Sequence, residues 1–140
     1  MGRIIAIDYG TKRTGLAVTD PLRIIANALE TVETKQLEKY LADYFSKNDV
    51  DIIVIGKPSQ MNGQPSETWR YIEPLAGRLR HAYPDKQVVL YDERFTSVMA
   101  HRTILESGIG KMARRDKALV DRISATIILQ SYMESAAYGV

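Results

Sequence analysis

The sequence predicts an α/β fold: a mixed five-stranded sheet, three antiparallel strands then two parallel strands, with helices on both faces. Three observations carry this. Residues 3–32 alternate short apolar runs with turns marked by Gly, Asp and Pro. From residue 34 onward, stretches with apolar residues at helical spacing alternate with short apolar runs. The resulting order is βββ-α-β-α-β-α-α, and strands separated by helices pair in parallel through right-handed crossovers.

The elements follow in order. Residues 3–8 (RIIAID) form an isoleucine-rich strand, and Tyr9 to Thr14 form a turn flanked by Gly10 and Gly15. Residues 15–19 (GLAVT) are its hairpin partner, Asp20-Pro21 is a turn, and residues 23–32 make a third strand. Leu37, Tyr40, Leu41 and Tyr44 fall on one face of a helix over 34–47. Residues 51–56 (DIIVIG) are a continuous apolar run, as in a buried central strand, and the first strand is expected beside it. Gly56 to Pro65 is a loop, after which Ser66 can cap a helix carrying Trp69, Ile72, Leu75, Ala76 and Leu79. Residues 87–91 (QVVLY) form another buried strand ending at Asp92-Glu93. Thr96 or Ser97 can cap a helix to about Ser107, and Gly108 and Gly110 open a basic loop. The last helix runs from about Asp116 to Ala136, with Leu119, Ile123, Ile127 and Ile128 as core candidates.

The chain of 140 residues fits a single domain, residues 1–140, and its 45% hydrophobic content suffices for a core. No apolar run approaches the ~20 residues that span a bilayer. There are no cysteines, which excludes disulfides and thiolate metal sites and fits a cytoplasmic protein. The net charge of +2 and pI of about 8.8 are too mild to indicate nucleic-acid binding alone. The distribution says more: Lys111, Arg114, Arg115, Lys117 and Arg122 cluster near the start of the last helix, and Lys12 and Arg13 sit in the first turn. Solvated surface is the plain alternative for such short runs.

In a sheet of this kind, ligands bind beyond the carboxyl ends of the parallel strands. Asp8 ends the first strand, Glu93 follows the last, and Asp121 sits among apolar residues early in the final helix. A buried carboxylate requires a partner or a cation. Three carboxylates without His or Cys make a hard oxygen site suited to Mg²⁺ or Mn²⁺. Such a site can hold a phosphodiester and activate water, with nearby cations on neighbouring phosphates. The plainer alternatives are that Asp8 forms a turn and that Asp121 pairs with Arg122 or Arg94. His81 and His101 read as surface, Trp69 and the helical tyrosines as core, and Tyr9 as a substrate-facing exception beside Asp8. Asp92 is expected to face away from Glu93.

Four blocks, "IDYGTKRTGLAVTD", "IVIGKPSQMNG", "VVLYDERFTS" and "VDRISATIILQSYM", resemble the YqgF/RuvX family, in order and through nearly the whole chain. These are RNase H-like proteins, described as Holliday junction resolvases and as pre-16S rRNA nucleases. The resemblance implies an RNase H-like fold and a metal-dependent nuclease that trims the 5′ end of the 16S rRNA precursor in the bacterial cytoplasm. It assigns Asp8, Glu93 and Asp121 as catalytic metal ligands, with Lys12 and Arg13 in the basic turn and Arg94 and Thr96 after the glutamate. Arg114 and Arg115 join Lys12 and Arg13 as expected substrate contacts. Gly56 and Ser124 stand where wider relatives carry further acids, which leaves open one ion or two.

Two rivals stand beside this reading. "DYGTKRTG" also looks like the phosphate-cradling turn of the actin and sugar-kinase superfamily, which needs two such domains where this chain has one. The alternative outside enzymology is a non-catalytic nucleic-acid-binding factor in transcription or ribosome assembly. Charge and acids serve an RNA precursor and a branched DNA junction equally. Both a monomer and a homodimer are open, a two-fold dimer being the form that suits a junction.

Overall fold

The computed structural model describes residues 2–57, 68–92 and 117–137. The described chain runs β1 (Arg3–Asp8), β2 (Arg13–Thr19), β3 (Ala26–Glu33), a 3₁₀ turn (Thr34–Gln36), α1 (Leu37–Lys47), β4 (Val50–Lys57), α2 (Trp69–Ala82), β5 (Gln87–Asp92) and α3 (Lys117–Ala137). The strands form one sheet in the order β3-β2-β1-β4-β5. β1 pairs antiparallel with β2, and β2 with β3, while β1–β4 and β4–β5 are parallel. The expected mixed sheet is therefore present, with β1 central beside β4. The helix expected over 96–107 and the Ser66 cap lie outside the described residues.

Strand alternation divides the apolar residues between two cores. Ile5, Ile7, Leu16, Val18, Ile53 and Ile55 pack under α1 and α2, against Leu37, Leu41, Ile72, Leu75 and Leu79. Ile4, Ala6, Ala17 and Val54 pack on the other face against Ala125, Ile128 and Leu129 of α3. Helices thus cover both faces. Each large aliphatic side chain so buried contributes about 1.5–3 kcal/mol relative to exposure.

Strands β4 and β5 extend a residue beyond the expected ranges, and three element starts differ for a local reason. β3 starts at Ala26 rather than residue 23. The Asp20 carboxylate accepts bonds from the Ile24 and Ile25 amides at 2.7 and 2.8 Å, and Arg23 takes a left-handed φ of 58°. That Asx-type turn occupies the residues that would have begun the strand. It leaves Leu22, Ile24 and Ile25 exposed. The amide of Ile25 first, with that of Ile24, holds the Asp20 carboxyl below its ordinary value of 3.8. β2 starts two residues early, because Arg13 and Thr14 find partners in Glu33 and Val32 of β3. α1 is preceded by the 3₁₀ turn and begins at Leu37. In α3, Ile127 and Ile128 are buried as expected, Ile123 is half-buried, and Ala125 and Leu129 join the core.

Candidate active site

Asp8 owes its position to the alternation of β1. Ile4 and Ala6 face α3, and Asp8 continues that series at the carboxyl end of the strand. Its cross-strand partner is Gly15 of β2. A Cβ on Gly15 would collide with the Asp121 carbonyl and lie 3.0 Å from the Asp121 Cβ. Only glycine admits the helix backbone this close, and the contact sets Asp121 beside the Asp8–Gly15 pair. Two acids far apart in sequence are thereby brought to one face at the carboxyl edge of β1. Asp121 is partly buried, with 25% of its side chain exposed.

The partner of Asp121 is Arg13, whose Nε donates to Oδ2 at 3.1 Å. The sequence suggested Arg122 or Arg94. Arg122 instead lies 3.9 Å from Glu30 of the edge strand, and Arg94 is outside the described residues. Arg13 was expected on substrate. It shares a strand face with Gly15 and Ala17, and that parity aims it at α3.

The β1–β2 turn is tied down on its far side. A Cβ on Gly10 would collide with the Arg13 carbonyl, which accounts for glycine there. The Thr34 amide donates to the Lys12 carbonyl at 3.0 Å, and the Thr34 hydroxyl donates to the Gly10 carbonyl at 2.5 Å. The Thr14 and Thr34 hydroxyls are 2.9 Å apart. Lys12 is thus presented from a turn braced against the end of β3. Thr11, Lys12, Arg13, Glu33 and Lys35 line an open groove of about 370 Å³, joined to Asp121 through Arg13. Lys35 takes its place in the groove from the 3₁₀ turn.

The remaining expectations sort by face. Tyr9 packs with the core under α1 and α2, on the side away from Asp8, so the exception made for it does not hold. Asp92 continues the series of Val88 and Leu90 on that same side, as alternation requires. Trp69, Tyr40, Tyr44 and Tyr83 are half-buried against the core, whereas Tyr71 of α2 and His81 are exposed. Lys57, at the carboxyl end of β4, went unremarked in the sequence; its Nζ stands 5.0 Å over the Trp69 ring. Among the described residues no three His, Cys, Asp or Glu side chains converge. Glu93, the third acid, lies outside them, as do Arg94, Thr96, Arg114, Arg115 and His101. Among the described residues, no helix is long and apolar enough to cross a membrane.

The donor set fits a hard divalent cation. Asp8 and Asp121 offer carboxylate oxygens only, and neither imidazole nor thiolate stands with them among the described residues. Arg13 bonds Oδ2 of Asp121 through Nε, and among the described residues no bond to its second oxygen stands in the way of a cation.

Comparison with known proteins accords with this geometry. The sequence pattern of the RuvX family, described as Holliday junction resolvase, matches residues 2–135. A Porphyromonas gingivalis protein named "Putative pre-16S rRNA nuclease" is 59% identical over 135 residues, covering 96% of this chain and 98% of that one. A Bacteroides thetaiotaomicron protein of the same name is 54% identical over 138 residues, covering 99% of this chain and 100% of that one. Among solved structures, T. thermophilus RuvC in complex with a Holliday junction substrate superposes with a TM-score of 0.55. It covers 95% of this chain and 96% of that chain at 17% identity, a likeness of fold.

Proposed function

The chain belongs to the RuvX family, and from that premise we propose that it is a divalent-metal-dependent nuclease that hydrolyses phosphodiester bonds in 5′-end maturation of pre-16S rRNA. The observation that carries the site is the Gly15 contact, which sets Asp121 beside Asp8 at the carboxyl edge of the central strand. Asp8, Glu93 and Asp121 would hold Mg²⁺ or Mn²⁺. When bound, the cation supplies charge neutralisation at the phosphate and acidifies a water.

The chain's own residues do the rest. Asp8 is held by the central strand, paired on both sides, so it needs little reorganisation as charge develops. Arg13 fixes the rotamer of Asp121 through Nε and is also one of the residues that line the groove. Lys12, Arg13, Arg94, Thr96, Arg114 and Arg115 would contact the substrate backbone and fix its register. Phosphodiester hydrolysis depends chiefly on such positioning. A cytoplasmic location goes with this reading, since bacterial precursor rRNA is processed there.

The test is cleavage of a precursor 16S 5′-leader RNA and of a four-way DNA junction, with Mg²⁺ or Mn²⁺, by wild type and Asp8→Asn. Cutting of the RNA by wild type alone supports the rRNA reading. Symmetric cutting of the junction alone moves the function to resolution of branched DNA. Binding by both proteins with no cutting would make the chain a non-catalytic nucleic-acid-binding factor.

A further inference from the structure

The groove beside the acids has a composition that the cleavage chemistry does not require. Lys35 stands at the β3–α1 corner, two residues beyond the position where Glu33 pairs with Arg13 across the sheet. It shares the groove with Thr11, Lys12, Arg13 and Glu33. Three cations and one hydroxyl therefore face a single acid. Among the described residues, Lys12 makes no ion pair within 4.0 Å. The Lys35–Glu33 contact is 3.5 Å long, with 76% and 65% of the two side chains exposed. An exposed pair of this kind is weak and easily exchanged for a phosphate.

The groove also has a fixed shape and a fixed neighbour. Three bonds from the Thr34 amide and the Thr34 and Thr14 hydroxyls brace the turn that carries Lys12. Arg13 belongs to both places: its Nε holds Asp121 while its side chain lines the groove. Arg13 is thus the link between the acids and a basic concavity. A polyanion whose one phosphate lies at the carboxylates would meet the groove with a neighbouring phosphate.

Resting on the nuclease reading, we propose that Thr11, Lys12, Arg13 and Lys35 form a backbone-phosphate subsite that holds the substrate strand on the β3 side of the acids. Lys35 is its outer member, and Glu33 sets its strength by competing for Lys35. The subsite reads phosphate and carries no sequence preference.

The test is the salt dependence of binding, measured with a single-stranded RNA oligonucleotide of the pre-16S 5′ leader in the absence of cleavage. A lost phosphate contact on a single strand lowers the slope of log affinity against log salt by about 0.7. Lys35→Gln is expected to lower the slope by about that amount, and Glu33→Gln to raise affinity at low salt. Lys47→Gln removes an equal charge at the far end of α1, beside the start of β4, and is expected to leave the slope as in wild type. Thermal melts of all three variants check that each is folded. Wild-type binding with equal slopes for Lys35→Gln and Lys47→Gln would overturn the subsite and leave the nuclease reading standing. Absence of RNA binding by wild type would overturn both.

Discussion

On the face covered by α1 and α2, the sheet presents Ile5, Ile7, Leu16, Val18, Ile53 and Ile55. On the face covered by α3 it presents Ala6 and Ala17 beside Ile4 and Val54, with Gly15 against the helix backbone. The large side chains interdigitate with Leu37, Leu41, Ile72, Leu75 and Leu79 and make the larger apolar core. The small ones let a helix backbone touch a strand, which is what sets Asp121 beside Asp8. One face is built for volume and the other for close approach. Substitutions on the two should therefore separate loss of stability from loss of chemistry.

The largest effect expected is that of Asp8→Asn. It removes a charge at the site with almost no change of shape. Loss of a partner that only orients a metal ligand costs 10–100-fold in affinity or activity, so loss of the ligand itself should cost about a hundredfold or more in cleavage. The melting temperature should stay near that of wild type. A variant that cuts RNA at the wild-type rate would remove the α3 face from the chemistry.

The next pair sharpens the contrast directly. Leu41→Ala leaves a cavity under α1 and should destabilise by about 2–5 kcal/mol, with cleavage per folded molecule unchanged. Gly15→Val forces α3 away from β2 and should destabilise by about 1–3 kcal/mol. It should also abolish cleavage at temperatures where it remains folded. Denaturant melts and single-turnover cleavage on the same samples give both numbers. Equal loss of specific activity in the two variants would show that the faces are not functionally distinct.

The central strands and the first acid of this arrangement were legible in the sequence. The isoleucine-rich run RIIAID and the continuous run DIIVIG pointed to the central strands, and Asp8 at a strand end to the first acid. The pairing of Asp121 was not legible, because it depends on how far α3 sinks onto the sheet. That depth is set by Gly15, Ala17 and Ala125, residues whose smallness has no period of its own. Arg13 could have been found. Once β2 is allowed to start at residue 13, its parity with Gly15 and Ala17 places it on the α3 face. The late start of β3 was hidden by Leu22, Ile24 and Ile25, which look like strand residues but sit in a turn held by Asp20. Glu93, Arg94, Thr96, Arg114 and Arg115 lie outside the described residues; the roles proposed for the first three rest on the family resemblance, and those for Arg114 and Arg115 on the basic cluster in the sequence.

Arg13→Ala should separate the two properties within one contact. The Arg13–Asp121 bond is partly exposed, at 40% and 25%, so its contribution to stability is expected to be below about 1 kcal/mol. Its contribution to the site should be larger, since Asp121 loses the group that holds its rotamer. Cleavage is expected to fall by about 10–100-fold with a melting temperature within a few degrees of wild type. A large drop in stability with normal cleavage would make the bond a brace for α3 and nothing more.

The smallest effect lies at the opposite edge of the sheet, where an acid serves stability alone. The Asp51 carboxylate accepts bonds from the Gly2 amide at 2.7 Å and from Arg23 at 2.9 Å, and Arg23 also donates to the Gly2 carbonyl at 2.8 Å. The Gly2 amide first, then the charge of Arg23, hold the Asp51 carboxyl below its ordinary value of 3.8. A carboxyl depressed in the folded state stabilises fully above the unfolded value, and that stability disappears as pH falls through the folded value. Asp51→Asn should therefore melt slightly below wild type at neutral pH, and the gap should close as pH drops below about 3.8. Cleavage at neutral pH should be unchanged, because no part of this network reaches the carboxyl edge. If Asp51→Asn instead slowed cleavage without lowering the melting temperature, the amino edge would be coupled to the site. The assignment of stability and chemistry to separate regions would then have to be abandoned for β1, the strand that Gly2 precedes and Asp8 ends.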